Sequence, residues 1–378
     1  MTGAAIIGVG ATPQGKLPGS NALSLGVDAF TLALVDAGLE KKDIDGLFTF
    51  PGTTSPEGSL NYLRLGEELG LDPRVTGSVT MGGGTAGALI HAAVAAIESG
   101  QATTIACVFG DAARTGGSKF SRASGWGDTW DLWGMYGAAA NSALVTSRHM
   151  ATYGTTSEQL GEVAVACRYH ASLNPRAVMR DPITIADHQA SRWIVEPLHL
   201  LDCCLISDGG VCVIVTSMER AKEGSHPVVQ IAGMGQAYTN RTLGNPDWLT
   251  MPHQKIALDT AYRTAGLGPS DVDVAQLYDN FTISVLLWLE HGGFCAPGEG
   301  GSFVEGGRIR LGGELPVNTA GGNLSESYME GWLHVVEGVT QIRGEAGARQ
   351  VEGAEVCLVT GRGMSLNCAN ATILTPGE

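Results

Sequence analysis

Along most of the chain, short apolar runs rich in β-branched residues alternate with longer segments whose apolar residues recur at helical spacing. Ala4 to Gly10 predicts a buried strand ending in a glycine turn, and Leu23 to Asp36 predicts a helix. Strands are expected at Ile44 to Phe48 and Val75 to Thr80, followed by the glycine-rich turn Met81 to Gly87 and an apolar helix from Ala88 to Glu98. Thr103 to Phe109 is another β-branched strand, closed by Gly110-Asp111. Residues 112–150 break the alternation with a glycine- and tryptophan-rich insertion carrying Trp126, Trp130, Trp133 and Tyr136. The helix Ser157 to Tyr169 has Thr155 or Thr156 as N-cap. Asp202 to Gly210 then turns into a strand over Val211 to Thr216, and the polar run Glu219 to His226 marks a boundary.

The second half repeats this plan. Strands are expected at Val228 to Ala232, Val274 to Tyr278, Ala354 to Thr360 and Cys368 to Leu374, with helices at Gln254 to Ala265 and Thr282 to His291. Leu315 to Thr319 predicts a short strand, followed by a Gly321-Gly322 turn, a loop through Tyr328, and a helix from Gly331 to Ile342. The strand–glycine turns ending at Gly110 and Gly361 fall at corresponding places. Two similar α/β halves follow, 1–225 (with an insertion over about 112–200) and 226–378. Buried strands in both halves predict a five-layered α/β/α/β/α arrangement. A single large doubly wound sheet is the alternative.

Composition narrows the partners. The 378 residues include 44% hydrophobic and 16% charged positions, as in a well-packed folded protein. A net charge of −15 argues against nucleic acid, which needs a basic face. It leaves room for an anionic substrate such as a CoA thioester, for which Arg362 or the Arg168/Arg192 neighbourhood offers a local basic patch. None of the eight cysteines forms a C-x-x-C pair, so a zinc or redox motif is not expected, and most sit in apolar runs as reduced core residues of a cytoplasmic protein. The N-terminus opens on a strand with no signal segment, and no apolar run approaches the length of about 18 residues that spans a membrane. Pro13 stands where a G-x-G-x-x-G motif needs its third glycine, so no nucleotide cofactor is expected.

The segment Leu315 to Gly331, with Asn318, Gly321-Gly322 and Tyr328, resembles the thiolase superfamily's Asn-x-x-Gly-Gly … Gly-His-Pro-x-Gly segment, which holds a catalytic histidine. The Gly-rich turn before Ala88, Tyr169 to Pro175, Asp202 to Gly210 and Tyr278-Asp279-Asn280-Phe281 extend the resemblance over nearly the whole chain, towards the sterol-carrier/lipid-transfer branch. The resemblance places Tyr328 at the histidine position and Tyr278 at the Asn or His position. It places Gly84 at the nucleophilic cysteine and Val359 at the second, acid/base cysteine. Covalent Claisen chemistry lacks its nucleophile here.

The same two tyrosines resemble those of thiolase-like steroid side-chain aldolases. These implied relatives cleave β-hydroxyacyl-CoA thioesters without a covalent intermediate. The resemblance implies a carbon–carbon lyase that binds no cofactor or metal and takes a CoA thioester as substrate. It also implies a homodimer core completed by a small OB-fold, zinc-ribbon-like partner in a heterotetramer. Tyr278 and Tyr328 are expected to share one pocket. The backbone amides of Gly321, Gly322, Gly361 and Gly363 either form an oxyanion hole or only shape turns. Two other functions remain open at the sequence level, an acyltransferase with a nucleophile elsewhere and a non-catalytic acyl-CoA-binding subunit. His91 is expected to be a core or interface histidine. His334 either supports the Tyr328 loop or packs. Of Asp279 and Asn280, one faces the core loop network. The tryptophan cluster lines an apolar pocket or covers a dimer interface.

Overall fold

The β-branched runs pair into strands buried on both faces, as their continuous apolar character requires. The structure is a computed structural model and describes residues 3–117, 132, 134, 137–224, 226–239, 251–363 and 367–377. Trp126, Trp130, Trp133, Tyr136 and the expected boundary at Ser225 lie outside the described residues. The chain begins β1 (Ala4–Ala11), α1 (Ala22–Ala37), β2 (Gly46–Pro51), α2 (Asn61–Leu69), β3 (Val75–Ser78), α3 (Thr85–Glu98), β4 (Thr104–Ala112). Next come α4 (Gly137–Tyr153), α5 (Ser157–Ser172), α6 (Ile185–Ala190) and a small hairpin of β5 (Trp193–Val195) and β6 (Leu198–His199). They lead to β7 (Asp208–Ser217), α7 (Met218–Ala221), β8 (Val229–Tyr238), α8 (Pro252–Ala265), β9 (Val274–Gln276) and α9 (Thr282–His291). The short α10 (Gly300–Val304) and α11 (Gly322–Ser325) precede α12 (Trp332–Ile342), β10 (Cys357–Gly363) and β11 (Cys368–Pro376).

The strand order is β3-β2-β4-β7-β1-β8-β11-β10-β9. Within it, β3-β2-β4-β7-β1 and β8-β11-β10-β9 form two mixed groups. They are joined through the pairs Ala5↔Gln230 and Ile6↔Val229. The single-sheet alternative is realised only at this join, because helices separate the two groups elsewhere. One outer layer is α1 with α2, packed on β2, β4 and β7 through Phe30, Leu34, Leu65 and Leu69. The opposite outer layer contains α5, α8 and α9, with Leu160, Leu258 and Leu286 in one cluster. Between the groups, Leu89, Ile90 and Val94 of α3 meet Trp332, Val335 and Val339 of α12. That middle core also takes Ile105 and Val213 from one group and Cys357 and Val359 from the other. The layers thus run helix, sheet, helix, sheet, helix.

Local chemistry explains where elements start. Thr156, not Thr155, caps α5: it accepts from the Gln159 amide at 3.3 Å, and Gln159 Oε1 accepts from the Thr156 amide at 3.0 Å. Helix α3 begins three residues before the expected Ala88. Thr85 Oγ1 closes the preceding turn, accepting from the Met81 amide at 2.8 Å and donating to Gly82 O at 2.7 Å. The expected strand at Leu315 to Thr319 makes only the single bridge Ala275↔Val317. Asn318 ends the pairing: its φ is 54°, and its side chain takes over the ladder. The Leu277 amide donates to Asn318 Oδ1 at 2.7 Å, and Asn318 Nδ2 donates to Leu277 O at 2.9 Å. This clamp fixes the backbone next to Tyr278.

Candidate active site

Tyr278 follows β9 and Tyr328 lies between α11 and α12, so two loops from different elements deliver the two phenols. Their hydroxyls meet at 3.1 Å. Tyr278 is 1% exposed, whereas Tyr328 is partly open. The Tyr278 amide donates to Thr360 Oγ1 at 2.9 Å, tying the residue to β10. Its ring lies over the Gly82–Gly84 turn, where a Cβ on Gly83 would overlap Tyr278 Cζ and Oη. Below the Tyr328 loop, Trp332 stacks on Phe109 with centroids 6.1 Å apart, and Phe109 stacks on Phe50 at 5.1 Å. That ladder anchors the start of α12 to β4.

Asp279 holds the two loops together. Its buried carboxylate accepts from His334 Nε2 at 2.9 Å, the Asn323 amide at 2.9 Å and the Leu324 amide at 3.3 Å. His334 therefore supports the Tyr328 loop, and Asp279 faces the loop network as one of the pair had to. Asn280 turns the other way, its Oδ1 accepting from Arg362 Nη2 at 3.2 Å and Ser284 Oγ at 2.9 Å. His334→Ala leaves a buried carboxylate short of a donor and opens a void. It is expected to lower unfolding free energy by about 2–4 kcal/mol in denaturant titration. A loss below about 0.5 kcal/mol would show that the pair carries little of the loop's stability.

The four glycines given an oxyanion role do not all have amides to spare. The Gly321 amide donates to Asn318 O at 2.8 Å, inside its own loop. The Asn323 and Leu324 amides of α11 point at Asp279. Gly321 serves the turn through its φ of 110°. Gly361 and Gly363 lie in buried β10, and Cβ atoms there would crowd Gly83 O and Met81 O respectively. Their evident role is close approach of β10 to the Gly82–Gly84 turn.

The electrostatics are those of a desolvated site. Burial, then the charge of Glu330, pushes the Tyr278 phenol well above the usual range. Burial, followed by Tyr278 and Glu330, does the same to Tyr328. Arg362 opposes this at Tyr278. It is 2% exposed and its Nη1 has no partner, so it is a buried cation behind the phenol and not a surface patch for CoA. Arg168 is likewise buried, donating to Ser325 Oγ at 3.0 Å and Asp181 O at 3.1 Å, which removes it from that role as well.

Set against known proteins, the C-terminal part of the chain, residues 235–376, matches the family model "Thiolase C-terminal domain-like". A steroid side-chain-cleaving aldolase of Thermomonospora curvata is 38% identical, covering 96% of this chain and 95% of the relative. A 17-hydroxy-3-oxo-4-pregnene-20-carboxyl-CoA lyase of Mycobacterium tuberculosis is also 38% identical, covering 94% of this chain and 95% of the relative. The solved structure of an Ltp2-ChsH2(DUF35) aldolase superposes with a TM-score of 0.91 at 37% identity, covering 100% of this chain and 98% of that one. The chain belongs to the thiolase superfamily, in the branch of the steroid side-chain-cleaving aldolases.

Within that superfamily the departures are concrete. At Gly84, where the resemblance puts the nucleophilic thiol, a Cβ would stand 2.6 Å from Cys368 Sγ and 3.3 Å from Asn370 Nδ2. Val359 is a buried core residue of β10. Neither nearby thiol replaces the lost ones. Burial pushes Cys368 up to about 11, and burial with the adjoining Cys203 raises Cys204 well above the usual thiol range. His91 donates to or accepts from Thr372 Oγ1 at 3.0 Å, in a packing role. Sequence reasoning missed Thr360, Asn370 and Glu330. The first two carry no local motif, and Glu330 is one of two acids, with Glu326, in the segment between Gly321 and Gly331. All eight cysteines are free. Among the described residues no helix is long and apolar enough to cross a membrane, and no metal-binding cluster is found.

Proposed function

We propose that this protein is a carbon–carbon lyase that cleaves a β-hydroxyacyl-CoA by retro-aldol chemistry. The acyl group is bulky and steroidal, and the products are propionyl-CoA or acetyl-CoA and a ketone or aldehyde. The observation that carries this is the phenol pair, Tyr278 Oη to Tyr328 Oη at 3.1 Å, in a thiolase scaffold whose nucleophile position is closed. Retro-aldol cleavage removes the β-hydroxyl proton, breaks the Cα–Cβ bond, and protonates the thioester enolate at Cα. The hydroxyl proton leaves and one proton returns, so no acyl-enzyme is needed. One phenol handles the hydroxyl proton and its neighbour stabilises or protonates the enolate. The buried Arg362 guanidinium makes negative charge on Tyr278 less costly. High thiol pKa values at Cys204 and Cys368 speak against the acyltransferase alternative.

The chain acts as a homodimer joined by a small OB-fold, zinc-ribbon-like protein. This part of the proposal is motivated by the two-component name of the superposed aldolase. The test is an assay of steroid β-hydroxyacyl-CoA thioesters of differing bulk, with the chain alone and co-expressed with such a partner. Release of the short acyl-CoA in step with the carbonyl steroid is the expected result. A stable acyl adduct by intact-protein mass spectrometry would instead select the acyltransferase. Substrate binding without cleavage under both conditions would select the non-catalytic subunit.

A further inference from the structure

Resting on the lyase proposal, we infer that Lys16, Arg114, Arg176 and Arg180 form the seat for the phosphate groups of the CoA thioester, on the rim beside Tyr328. Arg168 and Arg362 are buried inside the fold, so an anionic substrate needs its cations elsewhere. The pantetheine arm separates the phosphates of CoA from its thioester. Their site therefore belongs on the rim and not beside the phenols.

Three stretches of backbone meet there, joined by short contacts. The buried Asp208 carboxylate ties two of them. Its Oδ2 accepts from the Leu17 amide at 2.8 Å, and its Oδ1 accepts from the Arg114 amide at 2.8 Å and the Thr115 amide at 3.0 Å. The Gly15 amide also donates to Asp208 O at 3.0 Å, and the Asp208 amide to Gly15 O at 2.7 Å. The third stretch lies against the first, since a Cβ on Gly15 would be 3.3 Å from Val178 Cγ2. It is joined to the Tyr328 loop by the Val178 amide on Glu326 O at 2.8 Å and the Met179 amide on Ser325 O at 3.0 Å. Ser327 Oγ, next to Tyr328, donates to Gln14 Oε1 at 3.1 Å and closes the ring. Tyr328 is the more open of the two phenols, so this rim adjoins the accessible side of the site.

The charge on this rim runs against that of the chain. The protein carries 38 acidic against 23 basic residues, yet residues 12–18, 112–117 and 174–181 hold four basic residues and one acid, Asp181. Lys16, Arg114, Arg176 and Arg180 are all exposed. Among the described residues none of the four forms an ion pair, whereas the exposed Arg64, Lys255 and Arg308 pair with Glu67, Asp259 and Glu314. Glu326, near enough to feel Arg176, is buried, and burial, then the Glu337 charge, holds its carboxyl well above the usual range. It is a weak counter-charge. Arginine offers phosphate oxygens two donors held in one plane, and lysine adds a compact charge. Because the backbone beneath these groups is pinned, binding has only side chains to order.

The test pairs charge reversal with a substrate that lacks the phosphates. The double variants Lys16→Glu/Arg114→Glu and Arg176→Glu/Arg180→Glu leave the Asp208 ties in place, because backbone amides make them. For the steroid β-hydroxyacyl-CoA, each should raise KM by about 10-fold or more with kcat within about threefold. With the corresponding pantetheine thioester, which has no phosphate, each should match wild type within about twofold. Wild-type KM for the CoA thioester should rise with added salt, and that of the variants should rise less. Calorimetric titration with CoA alone should show a Kd weakened by about 10-fold or more.

An unchanged KM for the CoA thioester overturns the phosphate seat and leaves the lyase standing. A loss of equal size with the pantetheine thioester also overturns it, because the residues then act on the fold or on the acyl end. Charge reversal that spares CoA binding but releases the partner protein assigns the rim to that partner and overturns it as well. If wild type cleaves neither thioester, the lyase reading falls, and the CoA titration alone decides the rim.

Discussion

Tyr328→Phe and Tyr278→Phe are each expected to lower turnover of a steroid β-hydroxyacyl-CoA by about 10²- to 10⁴-fold. Phenylalanine preserves the ring that packs in each site and deletes only the hydroxyl. For Tyr278, the backbone tie to Thr360 and the fit over the Gly82–Gly84 turn survive the change. The structural cost is the Oη–Oη hydrogen bond, about 1 kcal/mol, so melting should shift by a few degrees at most. The two hydroxyls form one unit at 3.1 Å, and their losses should not add: the double variant should be little slower than the slower single one. Wild-type turnover in both single variants would remove the phenols from the chemistry. A drop confined to KM would mean that they only bind.

The fold was legible because its signals are local and repeated. Continuous β-branched runs such as Thr104–Ala112 and Asp208–Ser217 can hardly be anything but buried strands, and capped amphipathic segments such as Ser157–Ser172 announce their own starts. The expected strand before Asn318 failed for a reason that no periodicity carries. One side chain supplies both ladder hydrogen bonds to Leu277, which ends the strand after a single bridge. The site divides in the same way. The two tyrosines were findable because the glycines around them preserve a loop signature, and the histidine at 334 because it sits just beyond that loop.

Glu330 and Arg362 act on Tyr278 from elements far apart in the chain, and only the packed fold brings them to it. Arg362 shows the limit most plainly. In sequence an arginine between two glycines suggests an exposed loop and an anion. In the fold the same residue is 2% exposed, because β10 runs between β9 and β11 and its side chain is taken up by Asn280 and Ser284.

Gly83→Ala is expected to damage the site far beyond its size, because its Cβ is aimed at the Tyr278 phenol. The residue's φ is not in the left-handed region, so alanine is conformationally acceptable, and the cost is steric alone. The new Cβ overlaps Tyr278 Cζ and Oη, and Tyr278 has nowhere to yield: it is 1% exposed, and its loop is pinned by Thr360 and by the Asn318 clamp on Leu277. Overpacking of this kind costs about 1–3 kcal/mol, and relief requires the ring to tilt away from Tyr328.

Turnover should fall by about 100-fold or more, and the loss should be largely absent when Gly83→Ala is introduced into Tyr278→Phe, where the hydroxyl is already gone. Gly84→Ala is the control, since its Cβ meets the buried Cys368 thiol at 2.6 Å and not the Tyr278 ring; its effect on turnover should persist unchanged in Tyr278→Phe. Full activity in Gly83→Ala would mean that the Tyr278 ring does not work from where it lies. The coupling has a wider consequence. A side chain on this turn and the phenol at 278 claim the same volume, so a bulkier residue at Gly83 cannot coexist with the tyrosine pair. Tyrosine at 278 in this position therefore requires glycine at 83.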